Sequence, residues 1–423
     1  MDIRANGKNS ILFAIAFIVG TSIKAQSTSS QRAEELQLNT ITTAVPFLLI
    51  TPDSRAGGMG DVGCASLNDV NAIHWNASKL AFATKKMGFG VSYTPWLRAL
   101  VPDINLAYIT GFYKLKKRGT IGASLRYFSL GDITFTDANG QTTGQFRPNE
   151  FSIDIAYATK LSKTFSVGGA VRYINSNLTG NALVESAQTK PGRAVGVDLS
   201  VLYKKDKVKL ADKKAIVAFG LNISNIGNKM SYSDRGDKNS DDFIPINIRI
   251  GGSLNVDLDD YNSISILADI NKLMVPTPPT FKYKVDTNGV TTGEIATDAD
   301  GNPIIASGKD PNRGVAEGMF GSFSDAPGGG KEELREINYS VGLEYWYNHL
   351  FAIRAGYFYE HPTKGNRQFF TIGAGVRYNV FGLDFAYLIP TQQRNPLENT
   401  LRFTLTFDFD AFKDQNKEES KTE

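Results

Sequence analysis

From residue 86 onward, apolar side chains alternate with polar or small ones in segments of about ten residues. In the last segment, Leu401, Phe403 and Leu405 alternate with Arg402 and Thr404. Because successive side chains of a strand point to opposite faces, this period of two predicts strands with one apolar and one polar face. Each segment is as long as a tilted strand needs to cross a bilayer, roughly 9 to 11 residues.

Fourteen segments carry this alternation. They span residues 86–95, 103–113, 119–129, 150–160, 164–175, 193–204, 214–224, 246–256, 261–272, 335–347, 350–359, 368–379, 380–389 and 400–410. The links after even-numbered segments are short, such as "SKT" and "LDD", whereas most links after odd-numbered segments are longer. Outer-membrane barrels show this alternation, and a soluble sandwich has no reason to do so. The sequence therefore predicts an all-β fold, a transmembrane antiparallel β-barrel of about 14 strands over residues 86–410.

The first 25 residues are typical of a cleaved secretory signal peptide. Arg4 and Lys8 precede the apolar stretch "ILFAIAFIVG", which is too short to span a bilayer, and cleavage is expected after Ala25. Three cations and one acid lie in this segment, so its removal lowers the formal net charge from +3 to about +1. A nearly neutral exported chain is not expected to bind nucleic acid.

Few residues could perform chemistry. The single cysteine, Cys64, cannot form an internal disulfide, and His74, His349 and His361 are too scattered for a zinc site. A membrane-embedded hydrolase would need a nucleophile with a base in reach, and only His74, beside Trp75, lies in a suggestive setting. We therefore expect no catalytic residue, no metal and no cofactor, and interpret His74 as a packing residue.

Charged side chains occupy the polar face of the predicted strands. Because Arg or Lys on the lipid face would cost about 2 to 4 kcal/mol near the midplane, we expect these charges to point into the lumen and to pair with one another. An ion-pair network that braces the lumen is a simpler interpretation than ion selectivity. Its expected members are Arg126, Asp154, Arg172, Asp198, Arg249, Asp269, Glu344, Arg354, Arg377, Asp384 and Arg402.

Many other inward positions are glycine, which leaves the lumen unfilled. A barrel of eight strands is already filled by its side chains, so one of fourteen needs a separate plug. The inward glycines are Gly88, Gly90, Gly122, Gly168, Gly196, Gly220, Gly342, Gly356, Gly373 and Gly375. We predict that residues 26–85 form a compact, non-helical hatch inside the lumen, ahead of the barrel.

The stretch "RAGGMGDVG", residues 55–63, matches the pattern G-x-G-x-x-G of dinucleotide-binding proteins. That site needs a strand leading into the first glycine, a helix after the last and an acid about 20 residues on, and none of these is present. Glycines also let a backbone adopt positive φ and approach a wall closely. Gly58 and Gly60 are therefore interpreted as hinges of the hatch, with Arg55 and Asp61 as tethers to the charged lumen.

The segment "AVPFLLITPDSRAGGMGDVG", followed by "NAIHWNASKLAF" and the fourteen alternating segments, resembles the PorV family of the type IX secretion system of Bacteroidota. That family is related to the FadL fatty-acid transporters. The resemblance is most specific in "TPDSRAGGMGD" and "HWN". These stretches contain the expected hatch residues Asp53, Arg55, Gly58, Gly60, Asp61, His74, Trp75 and Asn76.

The resemblance implies a FadL-like barrel with a hatch, integral to the outer membrane, surrounded by membrane lipid and without enzymatic activity. It implies three protein partners: secreted cargo with C-terminal signal domains, a large SprA/Sov-like translocon barrel, and a PorU-like, sortase-like attachment complex at the surface. The chain departs from the family pattern in two places. FadL relatives commonly carry Asn-Pro-Ala in the hatch, whereas Asn76 is followed directly by Ala77, and a polar tail, residues 411–423, follows the last strand.

The longest link, after the ninth segment, carries Met319, Phe320 and Phe323 among glycines. Exposed aromatic residues on a loop suit docking to a partner, because they bury much area on binding. Folding of these side chains back onto the barrel mouth is the alternative. A second function also stays open: a FadL-type channel for hydrophobic small molecules, which would need an apolar pocket.

Overall fold

Fourteen antiparallel strands pair in chain order, and the first strand pairs with the last to close a barrel. The computed structural model describes residues 38–409, except residues 99, 116–118, 137–138, 179, 181–182, 185–186, 233–240, 287–289 and 393–394. The expected signal peptide (1–25), the first part of the expected hatch (26–37) and the tail (411–423) lie outside the described residues. The predicted fold class, an antiparallel barrel of 14 strands, is confirmed.

The barrel strands are here numbered β1 to β14. They are β1 (Met87–Pro95), β2 (Asn105–Leu115), β3 (Gly119–Ser129), β4 (Asn149–Lys160), β5 (Phe165–Asn177), β6 (Gly192–Leu210), β7 (Lys213–Gly227), β8 (Asn247–Asp257), β9 (Asn262–Leu273), β10 (Asn338–Tyr347), β11 (Phe351–Tyr359), β12 (Gln368–Tyr378), β13 (Phe381–Pro390) and β14 (Leu401–Phe407).

Most strand ends lie within two or three residues of the predicted ones, and the exceptions have local causes. Strand β10 begins at Asn338 instead of residue 335, because the chain just before it forms a short helix. The hairpin of β6 and β7 is longer than predicted, and its pairing shifts register between Lys205 and Val208, as at a β-bulge. Strand β14 ends at Phe407, short of residue 410.

Burial alternates along the strands as the sequence pattern predicts. On β3, Ser124 and Arg126 are buried, whereas Ile121 and Leu125 on the opposite face are 42% and 39% exposed. The apolar face is thus the outer face, which is the arrangement that a lipid-facing barrel requires. Among the described residues, no helix is long and apolar enough to cross a membrane.

The connections are short at one end of the barrel and long at the other. We call these the short-turn end and the long-loop end. The long loops contain four small two-stranded sheets: Ile133–Thr136 with Thr142–Phe146, Leu183–Val184 with Ala187–Gln188, Thr280–Phe281 with Ile305–Ser307, and Tyr283–Val285 with Thr291–Ile295. The β9–β10 loop also contains two helices that the sequence analysis did not predict, Val315–Gly321 and Gly330–Arg335.

The chain before β1, here called the N-terminal segment (residues 38–86), contains short helices. Two are 3-10 helices, Pro46–Leu49 and Ala77–Phe82; α1 (Ser54–Gly57) and α2 (Ala72–Trp75) are single α-helical turns. The expectation of a non-helical segment is therefore wrong in detail. One physical reason is capping, since the Asp53 carboxylate accepts a hydrogen bond from the backbone N–H of Ala56 at 2.9 Å. The two helices of the β9–β10 loop are α3 (Val315–Gly321) and α4 (Gly330–Arg335).

The outer face predicts a sharp difference between two leucines. We expect Leu125→Arg, on the lipid-facing side of β3, to lower the free energy of unfolding in phospholipid bilayers by about 2 to 4 kcal/mol. The matched change Leu258→Arg lies in the turn between β8 and β9 and should have little effect. Urea titration of both variants in vesicles measures the difference; equal stability would contradict the assignment of this face to lipid.

Candidate functional site

The inner wall lacks side chains where the N-terminal segment passes. Eight of the ten inward glycines predicted from the sequence lie against atoms of that segment, and a Cβ built on any of them would come within 3.1 Å of it. They are Gly88, Gly90, Gly122, Gly168, Gly220, Gly342, Gly356 and Gly373. The exceptions are Gly196 and Gly375, which lie against other residues of the strands and loops. These eight glycines, here called the glycine wall, leave room for a backbone that a side chain would displace.

The closest approach is at β11, where Gly356 lies against the backbone of Met59 and Gly60. Gly60 itself has φ of +72°, and a Cβ there would lie 2.6 Å from the backbone nitrogen of Tyr357. Its neighbour Gly58 has an ordinary φ of −75°. The expected positive φ is therefore found at Gly60, whereas Gly58 serves only the close approach to the wall.

Buried charges join α1 to the wall. The Arg55 guanidinium binds both carboxylate oxygens of Glu344, at 2.8 and 3.0 Å. Arg354 donates to the same carboxylate at 2.7 Å and to Asp384 at 2.8 Å, and Arg377 pairs with Asp384 at 2.6 Å. Five predicted site residues thus form one network, because strands β10 to β13 bring their inward faces to the same side of the lumen.

A second group of contacts holds the stretch that follows α1. Asp61 pairs with Arg402 of β14 at 2.7 Å. Asp269 of β9 accepts hydrogen bonds from the backbone N–H groups of Gly63 and Cys64 at 2.8 and 2.9 Å. The Arg249 guanidinium, 3.6 Å from Asp269, donates to the Asp61 carbonyl. Both tethers that the sequence suggested, Arg55 and Asp61, therefore contact inward charges of the barrel.

The remaining predicted charges lie on the opposite side of the lumen. Arg172 pairs with Asp154 at 2.5 Å and with Asp198 at 3.0 Å, without help from the N-terminal segment. Arg126, fully buried, instead donates to the Leu48 carbonyl at 2.7 Å and lies 2.6 Å from His74 Nδ1. The expectation that every inward charge pairs with another inward charge thus needs correction at Arg126, whose partners come from the N-terminal segment.

Burial, together with the neighbouring Arg126, lowers the pKa of His74 well below its ordinary value. The ring is therefore neutral, and its Nδ1 can accept a hydrogen bond from the guanidinium. Trp75 donates through its indole nitrogen to Asp53 at 2.7 Å. Burial, with the charge of Asp69, raises the pKa of Asp53 to about 6. These contacts are those of packing and capping residues, and they place no nucleophile beside His74.

Small hydroxyl side chains of the wall bond to the segment's backbone. Thr404 accepts from the Ser54 N–H at 2.9 Å, and Thr371 accepts from the Gly60 N–H at 2.8 Å. Others that bond to backbone groups of the segment are Thr110, Ser166, Ser200 and Ser253. The sequence analysis missed these residues, although their polar parity within the strands was a signal that could have found them.

Lys79 and Asn76 hold the end of the segment, and the sequence analysis identified only the second. The Lys79 ammonium is buried and donates to the Gly63 carbonyl and to Ser66, both at 2.8 Å. Asn76 donates to the Val201 carbonyl of β6 at 3.0 Å and accepts from the Ser78 N–H at 3.1 Å. Thus the turn at Asn76, which lacks the proline of FadL relatives, is anchored to the wall by its side chain.

The candidate partner-binding loop is held at the long-loop end. Met319 packs against the hydrophobic cluster there, so it folds back toward the mouth, which was the alternative interpretation of this loop. Phe320 and Phe323 remain 68% and 49% exposed. Lys364 of the β11–β12 loop pairs with Glu332 at 2.6 Å and with Glu336 at 3.0 Å, which fixes the position of α4.

A cavity of 350 Å³ opens at the long-loop end between the N-terminal segment and the loops. Its lining combines apolar side chains such as Ile41 and Leu49 with Lys364 and Arg367, and both cations already pair with glutamates. Within the part of the chain that the structure describes, no group of three or more side chains could hold a metal ion. Burial raises the pKa of the lone thiol, Cys64, to about 12, so it is inert as a nucleophile.

A family model, "Type IX secretion system protein PorV", matches residues 32–280. No curated protein matches the sequence. Three solved structures resemble the fold. A TodX deltaS2S3 mutant monoaromatic hydrocarbon channel is 15% identical, with a TM-score of 0.48, and 84% of this chain and 99% of that chain are covered. The Pseudomonas putida toluene transporter TodX is 13% identical (TM-score 0.42; coverage 83% and 95%), and a Pseudomonas aeruginosa FadL homologue is 11% identical (TM-score 0.42; coverage 88% and 100%).

The buried network predicts a large effect at Glu344. We expect Glu344→Gln to destabilise the protein by about 3 to 5 kcal/mol, because Arg55 and Arg354 lose their shared carboxylate while they stay buried. The control is Glu294→Gln, which breaks an exposed pair with Lys284 and should change stability by at most about 1 kcal/mol. Denaturant unfolding compares the two variants, and a similar small effect of both would contradict the structural importance of the network.

Proposed function

This chain belongs to the PorV family of type IX secretion system proteins, and from that premise we propose that it carries cargo at the outer membrane. In this proposal it binds the C-terminal signal domains of secreted proteins at the cell surface. It receives them from a SprA/Sov-like translocon barrel and passes them to a PorU-like attachment complex. The barrel's part is binding and positioning, without catalysis, since PorV proteins and FadL-like channels are non-enzymatic families.

The observation that carries this proposal is the presentation of Phe320. Helix α3 holds this ring at the long-loop end with 68% of its surface exposed, while Met319 beside it is packed into the mouth. An aromatic ring that is ordered before binding loses little entropy on docking and can bury a large area. We therefore assign Phe320, with Phe323 nearby, to the surface that contacts cargo or the translocon.

The N-terminal segment has a distinct role in the proposal, which is to close the lumen. Its contacts with the glycine wall and with Glu344, Asp269 and Arg402 support a plug that stays in place. A closed barrel can bind cargo at the surface without a leak in the membrane. The plug comprises the hatch residues inferred from the sequence, together with Lys79.

The channel for hydrophobic small molecules is the second candidate, and one observation favours it. The 350 Å³ cavity at the long-loop end has apolar walls and could admit a small apolar ligand. However, its cations are already paired with glutamates, and the lumen below it carries buried charges along its wall. Uptake of a radiolabelled aromatic hydrocarbon by cells or vesicles containing the barrel tests this candidate directly.

The surface role predicts a specific loss of binding. We expect Phe320→Asp to weaken co-purification of cargo and translocon about tenfold or more, because it removes an aromatic anchor and introduces a charge into the interface. The control is Phe135→Asp, in the hairpin of another long loop, where the ring is 39% exposed. Affinity capture with quantitative mass spectrometry measures both. Unchanged recovery of these partners with Phe320→Asp would contradict the assignment of the surface.

The closing role predicts a leak. Gly356→Val should displace Met59 and Gly60 from β11 and raise single-channel conductance in planar bilayers, while the barrel still folds. Gly252→Val is the matched control, because this glycine lies on the outer face, where a Cβ would make only ordinary contacts at 3.5 Å. Conductance of Gly356→Val equal to that of the control would argue against the plug.

A further inference from the structure

A lysine on the outer face of the barrel is buried. Lys272 has the same parity as Ile270 along β9, and Ile270 is on the outer face. Nevertheless, Lys272 is only 5% exposed, because Glu336 pairs with it and Glu333 lies 3.3 Å away. Part of the β9–β10 loop therefore lies against the outside of the wall, held there by buried ion pairs.

An apolar groove of 280 Å³ lies between this part of the loop and the wall. Its apolar lining comes from strands β8 and β9 and from the loop that covers them. The side chains are Ile248, Ile250, Ile270, Phe323, Leu334 and Ile337. Leu334 is 66% exposed and Ile250 47%, so the groove is open along its length and not filled by the protein.

The position of the groove identifies its occupant. Ile250 and Ile270 belong to the outward apolar set of the strands, and that surface contacts lipid chains in a membrane barrel. The strands reach the long-loop end near Ile248 and Lys272, so the groove continues the lipid-facing surface upward beneath the loop. We propose that it binds an acyl chain of a lipid in the outer leaflet, which goes beyond any role in secretion.

The charges at the groove support hydrocarbon as its ligand. The Lys272 ammonium bonds to Glu336 and lies 5.7 Å from the centroid of the Phe323 ring, which helps to fix one wall of the groove. Since this cation is already neutralised by glutamates, it has no need of a phosphate. Recognition therefore rests on the apolar walls, and the ion pairs mark the polar end of the groove.

One test places a fluorescent reporter in the groove. Phe323→Trp is reconstituted as the full chain in vesicles of phosphatidylcholine that is brominated on its acyl chains, and the emission of the wild-type tryptophans is subtracted. We expect the signal of the introduced indole to lose most of its intensity relative to unbrominated vesicles. Phe320→Trp is the control from the same loop, since Phe320 does not line the groove. Equal quenching of the two reporters would overturn the proposal.

A second test fills the groove. We expect Ile250→Trp to lower the occupancy of lipid adducts about tenfold in native mass spectrometry of the detergent-extracted protein, because exclusion of about two methylene groups from an apolar site accounts for that factor. Ile266→Trp, on the outer face of β9 but outside the groove, should keep the wild-type adducts. Equal adduct occupancy in both variants overturns the proposal. Protection of Leu334 by a co-purified protein, with no lipid adduct in the wild type, would also overturn it in favour of a protein ligand.

Discussion

The glycine wall is the constraint on which the rest of the structure depends. A barrel of fourteen strands encloses more space than side chains alone can fill, and this wall has less side-chain volume than most because eight of its inward positions are glycine. The backbone of the N-terminal segment takes up that space directly, with Met59 and Gly60 against Gly356. Packing of backbone on backbone leaves N–H and C=O groups that must be bonded, which explains why inward serines and threonines surround the segment.

Buried charge then determines where the segment lies. A guanidinium or carboxylate in this dry interior is tolerated only when it is paired and hydrogen-bonded. Arg55 satisfies Glu344, Asp61 satisfies Arg402, and the backbone beside Cys64 satisfies Asp269. The wall and the segment are therefore incomplete without each other. This mutual dependence suits a barrel that works through its surface loops while its lumen stays filled.

The sequence predicted the strands and their faces because period-two alternation records which side chains point inward. It could not predict partners, because parity carries no information about depth along the strand or about distant parts of the chain: Arg55 and Glu344 lie 289 positions apart. For the same reason Arg126 was expected to pair with an acid and instead bonds to Leu48 and His74. The helices α3 and α4 were missed because they are short and are stabilised by tertiary ion pairs such as those of Lys364.

Hydrogen exchange of the folded protein in lipid tests the central claim, that the N-terminal segment is an integral part of the barrel interior. The backbone amides of Gly60, Gly63 and Cys64 donate to Thr371 and Asp269 of the wall. They should therefore exchange about as slowly as the amides of the neighbouring strands, because all of them need the same opening of the structure. Rapid exchange of residues 54–78 while the strands remain protected would contradict the account.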